Sequence, residues 1–303
     1  MDENQIMVSV FMLTYQHKRY VQQAIDSVLA QKVNFNYEIV ISDDCSSDGT
    51  QQILIDYKRK YPNKIKLNLN KKNVGPVRNS KLVLKNCKGR YIAFLEGDDF
   101  WCNENKLQIQ TDFLESNHEF SACYHNANVI GDNPKKCKYY SITKKNINNH
   151  MEYFKLRPTI PTASLVIRNI YKTNNYLQYF NKSKFVGDRI VHTLALNNGK
   201  IKYLDFTMST YRYITNGGTS FSSKSIYLGL KDYIKAVKVQ RDLVDQETTA
   251  MVESYITELQ YNIVNMYQRD RLYKELLKYL FIELSVKEKM KMLFYQLKKI
   301  KRF

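Results

Sequence analysis

The sequence predicts an α/β protein with a mainly parallel sheet, flanking helices and a helical C-terminal extension. Across residues 1–99, short apolar runs alternate with helical patterns, which is the order that parallel strand-helix-strand units require. From Ser225 to Phe303 the helical period continues with no proline and a single glycine. We therefore expect two units, residues 1–222 and residues 223–303, with the boundary near Ser222 to Ser225.

Local patterns predict each element of the first unit. Continuous apolar runs such as Val8 to Leu13 and Tyr91 to Leu95 are typical of strands buried on both faces. Helical spacing of apolar residues follows the first run, and Asp48-Gly49-Thr50 can cap a second helix. In order, we predict strands at Val8–Leu13, Glu38–Ile41, Ile65–Leu69 and Tyr91–Leu95, with helices at Tyr20–Leu29, from Thr50, and at about Arg78–Asn86 between them.

The pattern from Phe100 to Gly218 is mixed and supports fewer elements. Short strands are expected at Thr162–Ile167 and Ile201–Tyr203, with one helix at about Arg189–Leu196.

Composition excludes several classes of protein. The 303 residues are 44% hydrophobic and 25% charged, as in an ordinary globular chain. Five unpaired cysteines suit a reducing cytoplasm better than a disulfide framework or a zinc site. An acidic start, Met1-Asp2-Glu3, does not resemble a signal peptide, and no apolar run approaches the roughly 20 residues needed to cross a bilayer.

The formal net charge of +18 is concentrated in two stretches. Residues 58–90 carry twelve basic residues and no acidic one, and residues 287–303 carry seven bases and Glu288. We therefore interpret the charge as two local features, one of which could attract a diphosphate or an anionic acceptor, and not as a general affinity for nucleic acid.

Acidic side chains end two of the predicted strands, at Asp43-Asp44 and at Glu96-Gly97-Asp98-Asp99. In an open α/β sheet, ligands bind beyond the carboxyl ends of the strands. Three carboxylates within four residues repel one another unless a cation or several donors lie between them. The second cluster therefore predicts a site for a hard divalent cation, and a solvated acidic loop is the alternative.

Four segments in this order resemble the family 2 glycosyltransferases. They are VSVFMLTYQHKRYVQQAIDSVLAQ from Val8, EIVISDDCSSDGT from Glu38, NVGPVRNSKLVLKNCKGRYIAFLEGDDFW from Asn73, and VGDRIVHTLALNNGKIKYLD from Val186. The resemblance covers about residues 6–220. It implies the A-type glycosyltransferase fold, with a Rossmann-like nucleotide-binding half at about 6–100 and an acceptor half at 101–222.

The resemblance also implies a nucleotide site. Tyr15 is expected to stack on the base, and Asp44 to accept its imino hydrogen. Arg78 is expected to contact ribose or diphosphate, and an arginine pointing into water is the alternative. The full set of nucleotide-contacting residues that the resemblance implies is Leu13, Thr14, Tyr15, Asp43, Asp44, Arg78, Asn79, Glu96, Gly97 and Asp98.

Catalytic roles follow from the same resemblance. Asp98 is the leading ligand for Mn²⁺ or Mg²⁺, with Asp99 second and Glu96 in a position where the family commonly has Asp. Asp188 matches the family's catalytic base, and capping of the following helix is its alternative role.

Two further residues are candidates for the donor or acceptor. Arg212, ahead of Gly217-Gly218, is a candidate for phosphate contact, although the histidine that the family often has shortly afterwards is absent. Trp101 is a candidate for sugar contact or for core packing. His125 and His192 are interpreted as structural.

The predicted activity is a metal-dependent inverting transfer of sugar from a nucleotide diphosphate donor to a saccharide or lipid-linked saccharide acceptor, and a UDP-sugar is the expected donor. The resembling bacterial proteins build capsule, O-antigen or similar surface glycans. A nucleic-acid-binding protein, an inactive scaffold and a nucleotidyltransferase are the alternatives, and the last would need a glycine-rich loop where Leu13-Thr14-Tyr15-Gln16 has none.

The C-terminal residues 286–303 form an amphipathic pattern with a stripe at Val286, Met290, Leu293, Phe294, Leu297 and Ile300. Lysines populate the rest of the helix, which suits the interface of an anionic membrane. Packing on the catalytic domain, or on a partner subunit of a homo-oligomer, is the alternative. The predicted location is the cytoplasm, at the inner face of the membrane if the helix binds lipid.

Overall fold

Four parallel strands form the first half of the sheet, as the sequence predicts. The computed structural model describes residues 5–131, 142–172, 174–181, 187–213 and 226–300, with backbone alone for 181, 226 and 294–300. Gly217-Gly218 and the predicted boundary at Ser222–Ser225 lie outside these residues. The first elements are β1 (Ile6–Thr14), α1 (Val21–Leu29), β2 (Asn36–Asp43), α2 (Thr50–Lys60), β3 (Ile65–Leu69), α3 (Pro76–Asn86) and β4 (Tyr91–Glu96).

The second half extends the same sheet with mixed pairing. Its elements are β5 (Phe100–Trp101), α4 (Lys106–Ser116), β6 (Phe120–Gly131), α5 (His150–Leu156), a 3₁₀ turn (Thr162–Ser164), β7 (Val166–Arg168), a 3₁₀ helix (Tyr176–Asn181), α6 (Asp188–Leu196) and β8 (Lys200–Tyr213). The strand order is β3-β2-β1-β4-β7-β6-β8-β5. Strands β3, β2, β1 and β4 pair in parallel, whereas β7 is antiparallel to both of its neighbours.

Two predictions for this half need correction. The strand predicted at Thr162–Ile167 begins as a 3₁₀ turn, because Pro161 precedes it and the Ser164 hydroxyl and backbone N–H both donate to the Pro161 carbonyl. The strand predicted at Ile201–Tyr203 is far longer, since β8 runs for 14 residues alongside β6. Helix α4 was not predicted because its inner face buries the polar side chains of Lys106, Gln110 and Thr111.

Alternating residues of the central strands supply two separate cores. On β1, Val8, Val10 and Met12 face the side covered by α1 and α2. Phe11 faces the other side, where its ring lies 4.9 Å from that of Phe94 and where α3 and α6 pack. The sheet is therefore covered on both faces, as parallel strands require.

The C-terminal helices join the second of these cores. They are α7 (Ile226–Arg241), α8 (Gln246–Arg269), α9 (Tyr273–Lys278), a π turn (Tyr279–Glu283) and α10 (Val286–Ile300). Ile234 of α7 and Val252 of α8 are buried in the same cluster as Phe11. The Arg157 guanidinium, after α5, donates to both carboxylate oxygens of Glu258 on α8, at 2.8 and 2.6 Å. Within the described residues, none of the helices is both long and apolar enough to cross a bilayer.

Candidate active site

The carboxyl ends of β1, β2 and β4 bring the predicted site residues to one edge of the sheet. The register pairs Leu13 with Glu96 on one side and Thr14 with Asp43 on the other. Since β1 is central and its neighbours run parallel to it, the loops that follow all three strands leave from the same edge. The sequence prediction that the two acidic clusters share an edge is confirmed.

Asp43 holds the loop that follows β2. Its buried carboxylate accepts hydrogen bonds from the Thr14 hydroxyl at 2.9 Å and from the Gln51 amide at 2.8 Å. The backbone N–H and hydroxyl of Ser46 donate to it as well, at 2.8 and 2.5 Å. These four bonds use the acceptor capacity of an ionised carboxylate. Asp43 therefore stabilises the conformation of this loop.

Asp44 fixes the loop that precedes α3. Its carboxylate accepts from the backbone N–H groups of Val74 at 2.8 Å and Gly75 at 2.9 Å, and from the Asn70 amide at 3.3 Å. Gly75 has a φ of +85°, a conformation that favours glycine. One acceptor position of Asp44 remains for a ligand, beside the loop where the resemblance implies the nucleotide base.

Arg78 and Asn79 lie next to each other in α3 but in different surroundings. The Asn79 amide is buried, donates to the Ser42 carbonyl at 3.0 Å and accepts from the Ser42 hydroxyl at 2.5 Å. Arg78 is exposed and makes no hydrogen bond with the described part of the chain. Of the two predicted nucleotide contacts, Asn79 supports the loop from beneath, and Arg78 is available to a ligand.

A tight turn carries the acidic cluster out of β4. The Gly97 N–H donates to the Leu13 carbonyl at 2.9 Å, and a Cβ at Gly97 would lie 2.6 Å from the Thr14 methyl carbon. Glycine is therefore required here because the turn passes directly against the end of β1. This contact fixes the position of the three carboxylates relative to the loop after β1.

The carboxylates of this turn are crowded and poorly compensated. Burial and the negative charges of Asp98 and Asp188 raise the pKa of Glu96. Burial and the charges of Asp98 and Glu96 raise the pKa of Asp99 well above its usual range, although the Arg212 N–H donates to it at 2.8 Å. Such a cluster favours protons or a cation when no ligand is bound.

The donor set fits a hard divalent cation that is shared with a ligand. Within the described residues, no three His, Cys, Asp or Glu side chains are placed to hold a metal ion by themselves. Carboxylate oxygens of the acidic turn suit Mg²⁺ or Mn²⁺, which usually complete their coordination with water and phosphate oxygens. Oxygens from a bound diphosphate would therefore be needed to complete the coordination.

His17 lies beside this turn and was not predicted as a site residue. Its Nε2 atom is 3.8 Å from a carboxylate oxygen of Asp98, and its buried Nδ1 atom has no hydrogen-bond partner among the described residues. The sequence offered one indication of this position, which is that His17 comes two residues after Tyr15 in the loop after β1.

Arg212 supports the acidic turn from the side away from the cavity. Its guanidinium donates to the Asp98 carbonyl at 2.6 Å and to the Gln23 side chain, and it lies 4.8 Å from the ring centroids of Tyr20 and Phe100. In this structure Arg212 therefore helps to position the acidic turn, and its contact with phosphate stays a prediction. Tyr211 and Tyr213, its neighbours on β8, line the cavity because side chains alternate along a strand.

A cavity of about 510 Å³ opens beside the acidic turn. Leu13 and Glu96 line it at the strand ends, and Pro76 and Ser80 of α3 form one wall. Aromatic side chains contribute much of the remaining surface. They are Phe11, Phe94, Phe180, Tyr211, Tyr213 and Tyr233. Tyr233 comes from α7, so the C-terminal helices complete a cavity that the resemblance assigns to residues 1–222 alone.

Asp188 faces this cavity from the first turn of α6. One carboxylate oxygen accepts the Arg189 N–H at 2.8 Å, and the other has no hydrogen-bond partner among the described residues. Gly187, not Asp188, precedes the helix as its cap residue. The arrangement leaves one oxygen free to accept a proton from a ligand in the cavity. It agrees with the catalytic interpretation better than with the capping one.

His192 lies one turn further along the same face of α6. Its Nδ1 atom is 3.2 Å from the Tyr153 hydroxyl, and its Nε2 atom is buried without a partner among the described residues, in a side chain that lines the cavity. Burial lowers the pKa of His192 to about 4, so the ring is neutral near pH 7. The sequence interpretation of His192 as structural did not anticipate that its side chain lines the cavity. The four-residue spacing from Asp188 was the available signal.

Trp101 belongs to the core. The side chain is buried, its indole N–H donates to the Ala163 carbonyl at 2.9 Å, and the Lys106 ammonium lies 4.1 Å from the ring centroid. The cavity lining does not include it. Of the two roles predicted for Trp101, the structure favours core packing.

Comparison with protein families decides the classification. The family model for glycosyl transferase family 2 matches residues 9–174, which is more than half of the chain. The chain belongs to glycosyl transferase family 2. The resemblance inferred from the sequence is thus confirmed, and the matched segment contains the loops after β1, β2 and β4.

Some curated relatives of this chain are named for an activity, and others are uncharacterised. An uncharacterised protein of Mycobacterium tuberculosis is 28% identical over 218 residues, which are 69% of this chain and 60% of that protein. The UDP-Glc:α-D-GlcNAc-diphosphoundecaprenol β-1,3-glucosyltransferase WfgD of Escherichia coli is 32% identical over 146 residues, which are 46% of this chain and 55% of WfgD. The match therefore spans little more than half the length of these relatives.

Solved structures confirm the fold. Residues 1–349 of S. aureus TarS, in complex with UDP-GlcNAc, match with a TM-score of 0.60 and 19% identity, over 95% of this chain and 78% of that one. The mannosyltransferase PcManGT of Pyrobaculum calidifontis, in complex with GDP-Man and Mn²⁺, matches with a TM-score of 0.56 and 12% identity, over 95% and 84%. The predicted A-type glycosyltransferase fold, with its C-terminal helices, is confirmed.

Proposed function

We propose that this protein transfers a sugar from a UDP-sugar donor to a saccharide or lipid-linked saccharide acceptor, with inversion at the anomeric carbon. The observation that carries the proposal is the shared cavity of Glu96 and Asp188, which joins the acidic turn of the sheet edge to a carboxylate with one free oxygen. Membership of family 2 supports sugar transfer as the reaction.

The donor nucleotide would lie across the loops after β1 and β2. Tyr15 follows β1 at the surface, Asp44 has one acceptor position left, and Arg78 is an exposed cation at the start of α3. A guanidinium suits the ribose or diphosphate oxygens of such a ligand. A uridine donor is favoured because WfgD is named for UDP-Glc and the TarS structure contains UDP-GlcNAc.

Asp188 would act as the general base. The acceptor hydroxyl donates its hydrogen bond to the free carboxylate oxygen, while the Arg189 N–H holds the other oxygen in place. As the acceptor oxygen bonds to the anomeric carbon, its proton passes to Asp188. The bond between that carbon and the diphosphate oxygen breaks in the same displacement, with oxocarbenium character. The diphosphate carries away the electron pair.

Asp98 would be the main protein ligand of a Mn²⁺ or Mg²⁺ ion, and Asp99 and Glu96 are further candidate ligands. A bound divalent cation would neutralise the diphosphate and stabilise it as a leaving group. The chain's own contribution is to hold these carboxylates together through Gly97 and Arg212. The Mn²⁺ in the PcManGT structure supports this assignment.

The product would be a cell-surface glycan such as capsule or O-antigen. WfgD is named for an acceptor linked to diphosphoundecaprenol, a lipid carrier, and this supports a lipid-linked acceptor here. The enzyme would then work in the cytoplasm at the inner face of the membrane, with residues 286–303 in contact with anionic lipid.

Donor binding tests this proposal directly. The wild-type protein, Asp98→Asn and the matched control Asp112→Asn, whose acid is exposed on α4, are titrated by calorimetry with UDP-, GDP- and TDP-sugars, with and without Mn²⁺. We expect uridine donors to bind the wild type and the control in Mn²⁺, and to bind Asp98→Asn at least about tenfold more weakly. Absence of binding to every donor would contradict the proposal.

A further inference from the structure

Helix α10 turns its apolar stripe away from the protein. Val286, Met290 and Leu293 are spaced by four and three residues and so share one helix face. They are 75%, 48% and 50% exposed. An amphipathic helix packed on a globular domain normally buries this stripe. The orientation is therefore the reverse of the one expected if the stripe packed on the catalytic domain.

Polar side chains hold α10 in this orientation. The Glu288 carboxylate accepts from the Lys238 ammonium of α7 at 2.5 Å and from the Gln260 amide of α8 at 2.8 Å. Lys291 forms an ion pair with Glu253 of α8. Of the described side chains of α10, Met292 is the buried apolar one. The inner side of the helix is thus anchored largely by charge, which leaves the apolar stripe for another contact.

The exposed stripe continues into the preceding segment. Phe281 and Ile282 of the π turn are 72% and 75% exposed, and Leu277 of α9 is 55% exposed. Side chains of this size rarely cluster on the surface of a soluble monomer without a contact to make. We call the cluster the apolar face and define it by its members, which are Leu277, Phe281, Ile282, Val286, Met290 and Leu293.

Lysines flank the members of the apolar face along the chain. Lys274, Lys278 and Lys287 have no ion-pair partner within the described residues, and the Lys289 ammonium lies 5.3 Å from the ring centroid of Phe281. The acids nearby are largely compensated, because Glu283 pairs with Lys231 and Glu288 pairs with Lys238. The sequence adds Lys298, Lys299, Lys301 and Arg302 beyond Leu293, the last residue of α10 whose side chain is described. An apolar centre with a cationic rim complements a surface that is apolar below and anionic above.

We propose that the apolar face inserts into the interface of an anionic lipid bilayer, with the lysines at the level of the phosphate groups. The proposal deepens the proposed function, on which it rests for a lipid-linked acceptor, by naming the surface that brings the enzyme to that acceptor. Apolar side chains of an interfacial helix enter the boundary between headgroups and acyl chains, and flanking lysines add attraction to anionic lipid.

A second copy of the chain is the competing occupant, and charge disfavours it. A two-fold contact through the apolar face would bring the four lysines of each rim against those of the other copy, with Glu275 as the uncompensated acid on each side. Like charges placed opposite one another oppose association. A bilayer rich in anionic lipid supplies the opposite sign instead.

Vesicle sedimentation with the full chain tests the proposal. The wild type, the double variant Phe281→Ser with Ile282→Ser, and the control Phe206→Ser are mixed with vesicles of equal parts phosphatidylglycerol and phosphatidylcholine, or of phosphatidylcholine alone. Phe206 is a matched control because it is 48% exposed on β8, outside the apolar face. We expect the wild type and the control to bind the anionic vesicles, and the double variant to bind at least roughly tenfold more weakly.

Three results would overturn the proposal. They are wild-type protein that stays in solution with anionic vesicles, a double variant that binds them as the wild type does, and a wild-type dimer in light scattering that the double variant converts to monomer. Release of sugar from a water-soluble UDP-sugar is measured in parallel on the same samples. This release needs no membrane. If the wild type releases no sugar, the proposed function is contradicted, and the vesicle result still decides whether the apolar face binds lipid.

Discussion

The carboxylates after β2 and those after β4 lie at the same edge of the sheet but in opposite electrostatic situations. Asp43 and Asp44 accept hydrogen bonds from side chains and backbone N–H groups of the surrounding loops. Glu96 lines the cavity and Asp99 is buried, and within the described residues the donor to this pair is the Arg212 N–H, which bonds to Asp99. Desolvation and the neighbouring negative charges raise the pKa of both carboxyls. Acidic residues at a strand end can therefore either fix a loop or face a ligand, and their hydrogen-bond partners distinguish the two roles.

This difference assigns separate roles within one site. A carboxylate whose acceptor positions are filled fixes the backbone, whereas one that faces a cavity without partners is prepared for a ligand. Asp188 belongs to the second kind, since it lines the cavity and one of its oxygens has no hydrogen-bond partner within the part of the chain that the structure describes.

The largest effect is expected at Asp188, which faces the cavity. Asp188→Asn keeps the shape of the side chain but removes the base, so we expect sugar transfer to fall by about 10²–10⁴-fold. Donor affinity should stay within a few-fold of the wild type, because the nucleotide contacts are elsewhere. Steady-state transfer and calorimetric donor binding measure the two quantities. Full transfer activity in Asp188→Asn would end the assignment of Asp188 as base.

At the partnered carboxylate, stability should change instead. Asp43→Ala leaves the Thr14 hydroxyl, both Ser46 donors and the Gln51 amide without their acceptor, at a cost of about 3 kcal/mol in the free energy of unfolding. Urea denaturation measures this, with Asp56→Ala on the exposed side of α2 as the control. A variant that is as stable as the wild type and has lost donor binding would make Asp43 a nucleotide contact.

Lys106 tests whether an unpartnered buried group always indicates a ligand. Its ammonium is buried without a hydrogen-bond partner in the described residues and lies away from the cavity, and burial lowers its pKa to about 7. The unfolded chain therefore binds the proton more readily than the folded one, so this lysine lowers stability as the pH falls from about 10.5 toward 7.

We accordingly expect Lys106→Met to raise the free energy of unfolding by about 2 kcal/mol near pH 7, and by less near pH 10. Donor binding should be unaffected. Denaturation at the two pH values provides the measurement. If Lys106→Met loses donor binding without losing stability, Lys106 has a role in the site. The position of a buried group relative to the cavity would then not separate ligand contacts from structural residues.

The smallest effect is expected for His192→Phe. The neutral ring offers its unpartnered Nε2 atom to a ligand in the cavity, and the contact is worth about tenfold in affinity at most. We expect the Michaelis constant for the acceptor to rise and the turnover number to change little. Tyr153→Phe, which removes the neighbouring hydroxyl, serves as a comparison. An equal loss of turnover in both variants would indicate a purely structural role.

The sequence predicts the parallel half of the sheet well because each of its strands is a short apolar run on its own. It predicts β8 poorly, since that strand depends on pairing with β6 over much of its length. Helix α4 escapes prediction because it buries Lys106 and Gln110, which periodicity counts as exposed.

The same limit applies to the site. Asp188 and the acidic turn follow from motifs, whereas the contribution of Tyr233 depends on how α7 folds back on the catalytic half. The contacts of Arg212 with the Asp98 carbonyl and with Gln23 of α1 could not be read from its neighbours in sequence, since they depend on the pairing of β8 with β5.

Measurement of released sugar tests directly whether the cavity of Glu96 and Asp188 is the site of sugar transfer. Wild-type protein and the Asp98→Asn, Asp188→Asn double variant are incubated with UDP-, GDP- and TDP-sugars, with Mn²⁺ or with a chelator, and free sugar is quantified. We expect the wild type to release sugar from a uridine donor in Mn²⁺ and not with the chelator, and we expect the double variant to lose that release. Equal release by the two proteins, or none from any donor, would contradict it.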